Sequence, residues 1–134
     1  MGKNRKSNAG FTLVELMIVM AIIMVLAVVV VPSYISAIRA AREAVLKEDL
    51  HVLRNAIDSY TADKQKAPQS LEDLVTEGYL KSIPDDPMTH SSSTWMTDTS
   101  SDLHTVDQTD SGGIDDVHSG SQEQGTNGKP YSAW

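Results

Sequence analysis

The sequence predicts an α+β fold, in which a long N-terminal helix packs on a small C-terminal domain with a short helix, a few short strands and long loops. Three observations support it. Residues 11–31 are apolar except for Thr12 and Glu15. Residues 35–60 then carry apolar side chains at three- and four-residue intervals, and residues 89–111 are more than half Ser or Thr. A helix that is transmembrane in its first half and amphipathic in its second, followed by a loop-rich domain, accounts for all three.

The apolar run is long enough to cross a membrane. At a rise of about 1.5 Å per residue, residues 11–31 span about 31 Å, close to the ~30 Å hydrocarbon core of a bilayer. Lys3, Arg5 and Lys6 precede the run with no acidic residue among them, whereas residues 82–134 contain nine acids and one base. The positive-inside rule therefore predicts a single pass with a cytoplasmic N-terminus. The acidic exterior argues against nucleic acid as a primary partner.

The second half of the predicted helix has one apolar stripe and a charged remainder. No glycine occurs between Phe11 and Lys64, and Pro32 is the only proline there. We therefore expect one helix from about residue 12 to about residue 63, kinked at Pro32. The stripe consists of Ile35, Ile38, Val45, Leu46, Leu50, Leu53, Ile57 and Tyr60.

A short second helix is predicted after this long one. Ser70 and Asp73 form a capping-box-like start, and Gly78 is typical of a helix end. Residues 89–111 are too polar for more than irregular loop with short strands.

The C-terminal domain has few means of stabilisation. The chain contains no cysteine, so a disulfide is excluded and packing, a metal or neighbouring subunits must replace it. Tyr131 and Trp134 at the polar end of the chain predict a tail that docks on the core. No cysteine nucleophile, phosphate-binding loop or closely spaced histidine pair is present, so we expect no enzymatic activity.

Glu15 distinguishes three interpretations of the membrane segment. A secretory signal peptide has a shorter apolar stretch and a small-residue cleavage site, and the proline between Val31 and Ser33 makes the best site here a poor one. A plain single-pass anchor explains the length but leaves Glu15 and the abrupt Gly10–Phe11 border unexplained. A glutamate that reaches the lipid headgroups is the simplest account of Glu15 alone. The third interpretation uses every feature of the segment.

Residues 10–19 read GFTLVELMIV, which resembles the prepilin signature of type IV pilins and type II secretion pseudopilins. The resemblance implies cleavage by a membrane peptidase between Gly10 and Phe11 and N-methylation of Phe11. Glu15 then becomes the fifth residue of the mature chain and sets the register in which the subunits assemble. Pro32 matches a proline that is common in the family's N-terminal helix. The implied organisation is a leader (residues 1–10), a transmembrane assembly helix (residues 11–32) and an extracytoplasmic domain (residues 33–134).

Residues 70–87 read SLEDLVTEGYLKSIPDDP, which resembles the segment after the long helix in the G-type major pseudopilin of type II secretion. The implied function is a structural subunit of the pseudopilus, a helical filament that drives protein export across the outer membrane. The implied location of the subunit before assembly is the bacterial inner membrane. The implied partners are further copies of the chain, the prepilin peptidase and methyltransferase, the inner-membrane platform with its ATPase, and minor pseudopilins. Alternatives are a type IV pilus subunit for adhesion, motility or DNA uptake, and a membrane-anchored binding module.

The same resemblance suggests calcium as a cofactor, because G-type pseudopilins use a calcium-binding loop near the C-terminus. Here Asp110, Asp115, Asp116 and Ser119 offer oxygen ligands on a turn-rich segment. His118 and the neighbouring Ser-Gly-Ser depart from the family's pattern. We expect His118 to pack or to bond to a loop carbonyl rather than to bind a transition metal, since no second histidine or cysteine is near in sequence.

Overall fold

The computed structural model of the chain describes residues 2, 10–99 and 112–134. It confirms the α+β prediction. The chain divides into two compact units, the N-terminal unit (Met1–Ile38) and the C-terminal unit (Arg39–Trp134). In order, the elements are α1 (Leu13–Lys64), α2 (Leu71–Thr76), β1 (Met96–Thr99), β2 (Ile114–His118) and a 3₁₀ turn, η1 (Tyr131–Ala133).

Helix α1 begins and ends within one residue of its predicted bounds and continues past Pro32. In the N-terminal unit nothing in the described chain covers it. The large apolar side chains of α1 from Leu13 to Val31 are 46–76% exposed, and Phe11, just before the helix, is 90% exposed. Among the described helices, α1 alone has the length and apolar composition needed to cross a membrane.

In the C-terminal unit, α1 buries one side. Its buried apolar residues recur every three or four positions. They form one core with residues of α2 and β2 and of the segments that contain Trp95 and Trp134. The sequence also predicts Ile35, Ile38 and Val45 as part of this stripe, but none of them belongs to the core. Ile35 and Ile38 lie in the N-terminal unit and are 62% and 37% exposed. Val45 is 50% exposed because it lies about 100° around the helix from Leu46. The core residues are Leu46, Leu50, Leu53, Ala56, Ile57, Tyr60, Leu71, Leu74, Leu80, Trp95, Ile114, Val117 and Tyr131.

The predicted start and end of helix α2 are confirmed. Asp73 Oδ2 accepts hydrogen bonds from the main-chain N–H of Ser70, at 3.0 Å, and of Gln69, at 2.9 Å. At the other end Gly78 has φ +83°, a left-handed conformation that favours glycine. Its N–H donates to Val75 O at 3.2 Å, and the next N–H donates to Leu74 O at 2.9 Å, as in a Schellman motif.

Strands β1 and β2 pair antiparallel as a two-stranded sheet. Met96 lies opposite His118, and an irregularity after Asp98 leaves Asp115 as an extra residue on β2. Ile114 and Val117 on β2 are buried, whereas every residue of β1 is exposed. The sheet therefore covers the core mainly through β2.

The tail docks as predicted. Tyr131 is buried, and Trp134 is partly buried against the core. Their ring centroids lie 5.1 Å apart at an interplanar angle of 65°, an edge-to-face contact.

The core stripe of α1 predicts a sharp contrast between two adjacent residues. Leu53 is fully buried, so Leu53→Ala should lower the free energy of unfolding by about 2–5 kcal/mol. Val52, which is 40% exposed, is the matched control, and Val52→Ala should change it by less than about 1 kcal/mol. Denaturant unfolding of the full chain in detergent, followed by tryptophan fluorescence, measures both. Equal losses in the two variants would contradict the assigned face.

Candidate processing and assembly site

The Gly10–Phe11 junction lies immediately before helix α1. Neither residue is in a helix or strand, and Phe11 is 90% exposed. A Cβ added at Gly10 would meet no described atom within 4 Å. The peptide bond between Gly10 and Phe11 is therefore accessible in the described chain. The fold itself has room for a larger side chain at residue 10.

Glu15 lies in the first turn of α1 and faces back towards the helix start. Its N–H donates to Thr12 Oγ1 at 3.2 Å, while its Oε2 lies 3.4 Å from the N–H of Thr12. This reciprocal pair is a capping box, in which a threonine and a glutamate three residues later satisfy free N–H groups of the first turn. Sequence reasoning did not identify Thr12, although the Thr-x-x-Glu spacing in residues 12–15 carries that signal.

Pro32 lies within α1 on an exposed position. Just after it, Ser36 Oγ donates to Ser33 O at 2.8 Å. The predicted processing and assembly residues thus all belong to the N-terminal unit, and the predicted calcium ligands that are described belong to the C-terminal unit.

Asp116 on β2 is paired with an arginine. Its Oδ1 accepts a hydrogen bond from Arg54 Nε at 2.6 Å and another from the N–H of Val117 at 2.7 Å. Arg54 Nη2 also donates to Val117 O at 3.1 Å and to the main-chain oxygen of Trp134 at 2.8 Å. Burial raises the pKa of Asp116, but these hydrogen bonds and the charge of Arg54 outweigh burial and lower it overall.

Ser119 has a different partner, Asp86. Ser119 Oγ donates to Asp86 Oδ2 at 2.6 Å, and the N–H of Gly120 donates to the same oxygen at 3.1 Å. Asp86 is fully buried, and its Oδ1 accepts from the N–H of Met88 at 2.8 Å. This carboxylate links the turn after α2 to the end of β2, a role that its position in Pro-Asp-Asp-Pro did not reveal.

His118 bonds to a main-chain oxygen, which is one of the two expected outcomes, but the oxygen belongs to Trp134 at the end of the chain. Its Nδ1 donates to the main-chain oxygen of Trp134 at 2.7 Å. Its Nε2 lies 3.1 Å from Asp98 Oδ2 and 3.6 Å from Asp116 Oδ2. The side chain therefore joins both strands to the C-terminal residue.

The described members of the predicted calcium set do not form a shared site. Asp115 is exposed, while Asp116 and Ser119 are bonded to Arg54 and Asp86. Within residues 10–99 and 112–134, no three histidine or acidic side chains are arranged to hold a metal. Asp110 lies outside the described residues, so calcium binding by the complete set stays a prediction.

Comparisons with known proteins agree with the geometry of the N-terminal segment. A family profile described as the prokaryotic N-terminal methylation motif matches residues 5–31. The type II secretion system core protein G of Pseudomonas aeruginosa is 36% identical over 99 residues, which cover 62% of this chain and 70% of that protein. The protein of the same name from Vibrio cholerae is 35% identical over 100 residues, covering 63% and 68%.

A third relative has another name. Competence protein ComGC of Halalkalibacterium halodurans is 35% identical over 74 residues, which cover 55% of this chain and 72% of that protein. No solved structure matches the chain. The prepilin motif, the exposed apolar helix and the similarity along most of the core protein G sequences together show that the chain belongs to the type II secretion system core protein G family, the major pseudopilins.

Proposed function

We propose that many copies of this chain, cleaved between Gly10 and Phe11, form the helical filament of a type II secretion pseudopilus. One observation carries the proposal. An apolar helix segment with side chains 46–90% exposed begins at a Gly-Phe border and contains a single carboxylate, Glu15. Such a surface needs lipid before assembly and other copies of itself afterwards.

Glu15 supplies the register of assembly in this proposal. Cleavage creates a cationic amine on Phe11, one helical turn from Glu15 and next to the residue that Glu15 caps. In the stacked filament the carboxylate meets the amine of a neighbouring copy. A mismatched register would leave a charge unpaired in an apolar bundle, which costs a few kcal/mol.

The proposed setting follows from charge. Lys3, Arg5 and Lys6 favour a cytoplasmic leader at the bacterial inner membrane, and residues 33–134 then lie in the periplasm. A prepilin peptidase that also methylates Phe11 would act at the cytoplasmic face. The assembly platform, its ATPase and minor pseudopilins are the further proposed partners.

A competence filament for DNA uptake is the second candidate, favoured by the similarity to ComGC. Deletion of the gene in its host separates the two. We expect proteins that are normally exported to accumulate in the periplasm and a plasmid copy to restore export. Unchanged export together with lost transformation would instead support the competence filament. The absence of any filament on overexpression would favour a membrane-anchored binding module.

Processing gives the first prediction of this proposal. Mass spectrometry of the mature protein should show Phe11 at the N-terminus with one added methyl group. Gly10→Ala should slow cleavage, although the described chain has room for a Cβ there, because the peptidase must approach the backbone closely. Gly2→Ala in the leader is the matched control and should be processed normally. Recovery of intact Met1, or of a start near Tyr34, would contradict the proposal.

The second prediction of this proposal concerns filament assembly. Glu15→Ala should insert at least as well as the wild type, since a charge is removed from the apolar segment. Filament yield should fall by about tenfold or more, because the amine of Phe11 loses its partner and an unpaired charge in the bundle costs a few kcal/mol. Glu48→Ala, at an exposed position beyond the apolar segment, tests whether loss of any α1 carboxylate has the same effect. Wild-type filament yield from Glu15→Ala would show that Glu15 only reaches the lipid headgroups.

A further inference from the structure

Glu43 is a buried carboxylate on α1 that no processing or assembly step uses. It is 5% exposed and lies in the C-terminal unit. Its Oε1 accepts hydrogen bonds from the N–H of Thr126, at 2.9 Å, and from the hydroxyl of Tyr131, at 2.8 Å. Its Oε2 accepts from Thr126 Oγ1 at 2.6 Å. One side chain thus holds residues more than eighty positions away in the sequence.

No basic side chain is within ion-pair distance of Glu43 among the described residues. Burial raises the pKa of Glu43, but the hydrogen bonds of Thr126 and Tyr131 and the charge of Lys47 lower it overall. Lys47 lies one turn along the helix, with its Nζ 5.0 Å from the centre of the Trp134 ring. Glu43 is therefore held as an anion mainly by neutral donors of the C-terminal segment.

The segment that Glu43 holds is internally closed. The N–H of Tyr131 donates to Glu123 O at 2.9 Å, and the N–H of Ser132 donates to Ser121 O at 3.0 Å. Gly125 lies against the tail, since a Cβ there would be 2.4 Å from the Trp134 ring. Residues 121–134 therefore behave as one loop, which we call the C-terminal loop. Because Glu43 bonds to Thr126 and Tyr131, it fixes the whole C-terminal loop to α1.

A divalent cation is poorly suited to the same position. Calcium requires six to eight oxygen ligands with free lone pairs. The groups that point at Glu43 are an N–H and two O–H donors, which present hydrogen atoms to the carboxylate. The side chains of the C-terminal loop include one carboxylate, that of Glu123, and this residue is exposed.

We propose that Glu43 fastens the C-terminal loop to helix α1 and makes the folding of the C-terminal unit independent of divalent cations. This is the opposite of what the calcium site predicted from the sequence would require. The proposal concerns folding and stands apart from the proposed function. Its consequence, that filaments assemble equally well in calcium and in chelator, rests on that function. A melting experiment therefore tests the proposal about Glu43 alone, whereas an assembly experiment also depends on the proposed function.

The test compares melting of the full chain in detergent micelles, in 1 mM calcium and in chelator. Tryptophan fluorescence reports the C-terminal loop directly, because Trp134 belongs to it. Wild-type protein should melt at the same temperature in both conditions. Glu43→Gln should melt roughly 5–10 °C lower in both, since a neutral amide accepts hydrogen bonds more weakly than a carboxylate and presents its own donors to Thr126 and Tyr131. Glu48→Gln, the same change at an exposed position of α1, should melt like the wild type.

Milder variants keep the test decisive if Glu43→Gln does not fold. Tyr131→Phe and Thr126→Val each remove one hydroxyl donor and should each lower the melting temperature. Combined with Glu43→Gln where that variant folds, Tyr131→Phe should add little, because its partner is already lost. A melting temperature that rises in calcium for the wild type, or variants at Glu43, Thr126 and Tyr131 that all melt like the wild type, would overturn the proposal.

The pH dependence provides an independent measurement. The ionisable groups around the contact are Lys47 and Arg39 on α1 and Tyr131 and Glu123 on the loop. Because folding lowers the pKa of Glu43, its contribution is complete above the ordinary value of 4.5 and is lost as the pH falls through the lower folded-state value. The gap in melting temperature between wild type and Glu43→Gln should therefore be constant near neutral pH and close below pH 4.5. A gap that stayed constant into that acidic range would show that the charge of Glu43 contributes nothing.

Discussion

The packing of helix α1 against everything that follows it in the C-terminal unit is the interaction on which that unit depends. The helix contributes six of the thirteen buried apolar residues of the core. Two charged side chains of the same helix, Glu43 and Arg54, extend the contact to the end of the chain through Tyr131 and Trp134. Without α1, a two-stranded sheet and a two-turn helix would have no apolar surface large enough to pack on.

Buried and half-buried carboxylates also hold the C-terminal unit together, and each bonds to a different kind of partner. Glu43 accepts hydrogen bonds from neutral donors of the C-terminal loop, and Asp116 pairs with Arg54. Asp86 is held by Ser119 and main-chain N–H groups. Each of these three carboxylates joins segments far apart in the sequence. The chain contains no cysteine, so these contacts fix the loops without a disulfide.

Glu15 illustrates how one carboxylate can serve two states of a chain. With residues 1–10 attached, it belongs to a capping box with Thr12 and satisfies N–H groups at the start of α1. In the proposed mature subunit, the same location lies one turn from a new amine. The positive end of the helix dipole favours an anion in both states. Membrane insertion and filament register therefore make compatible demands on this residue.

The sequence by itself determined the features that depend on neighbours along the chain. These are the bounds of α1, the cap and stop of α2 at Ser70 and Gly78, the apolar membrane segment and the prepilin motif. Helix periodicity, capping and apolar length are local properties, so a single chain displays them directly. Even the capping role of Thr12 was present in the sequence as a threonine three residues before a glutamate.

Only the tertiary structure decided which acids contact which partners. The sequence grouped Asp115, Asp116 and Ser119 because they are neighbours along the chain, whereas Asp116 bonds to Arg54 and Ser119 to Asp86. It carried no sign that Glu43 contacts Thr126 and Tyr131, since on the helix pattern a glutamate beside Arg42 belongs to the charged face. Contacts across 33 to 88 residues depend on how the elements pack, and charge patterning along one strand or helix does not encode them.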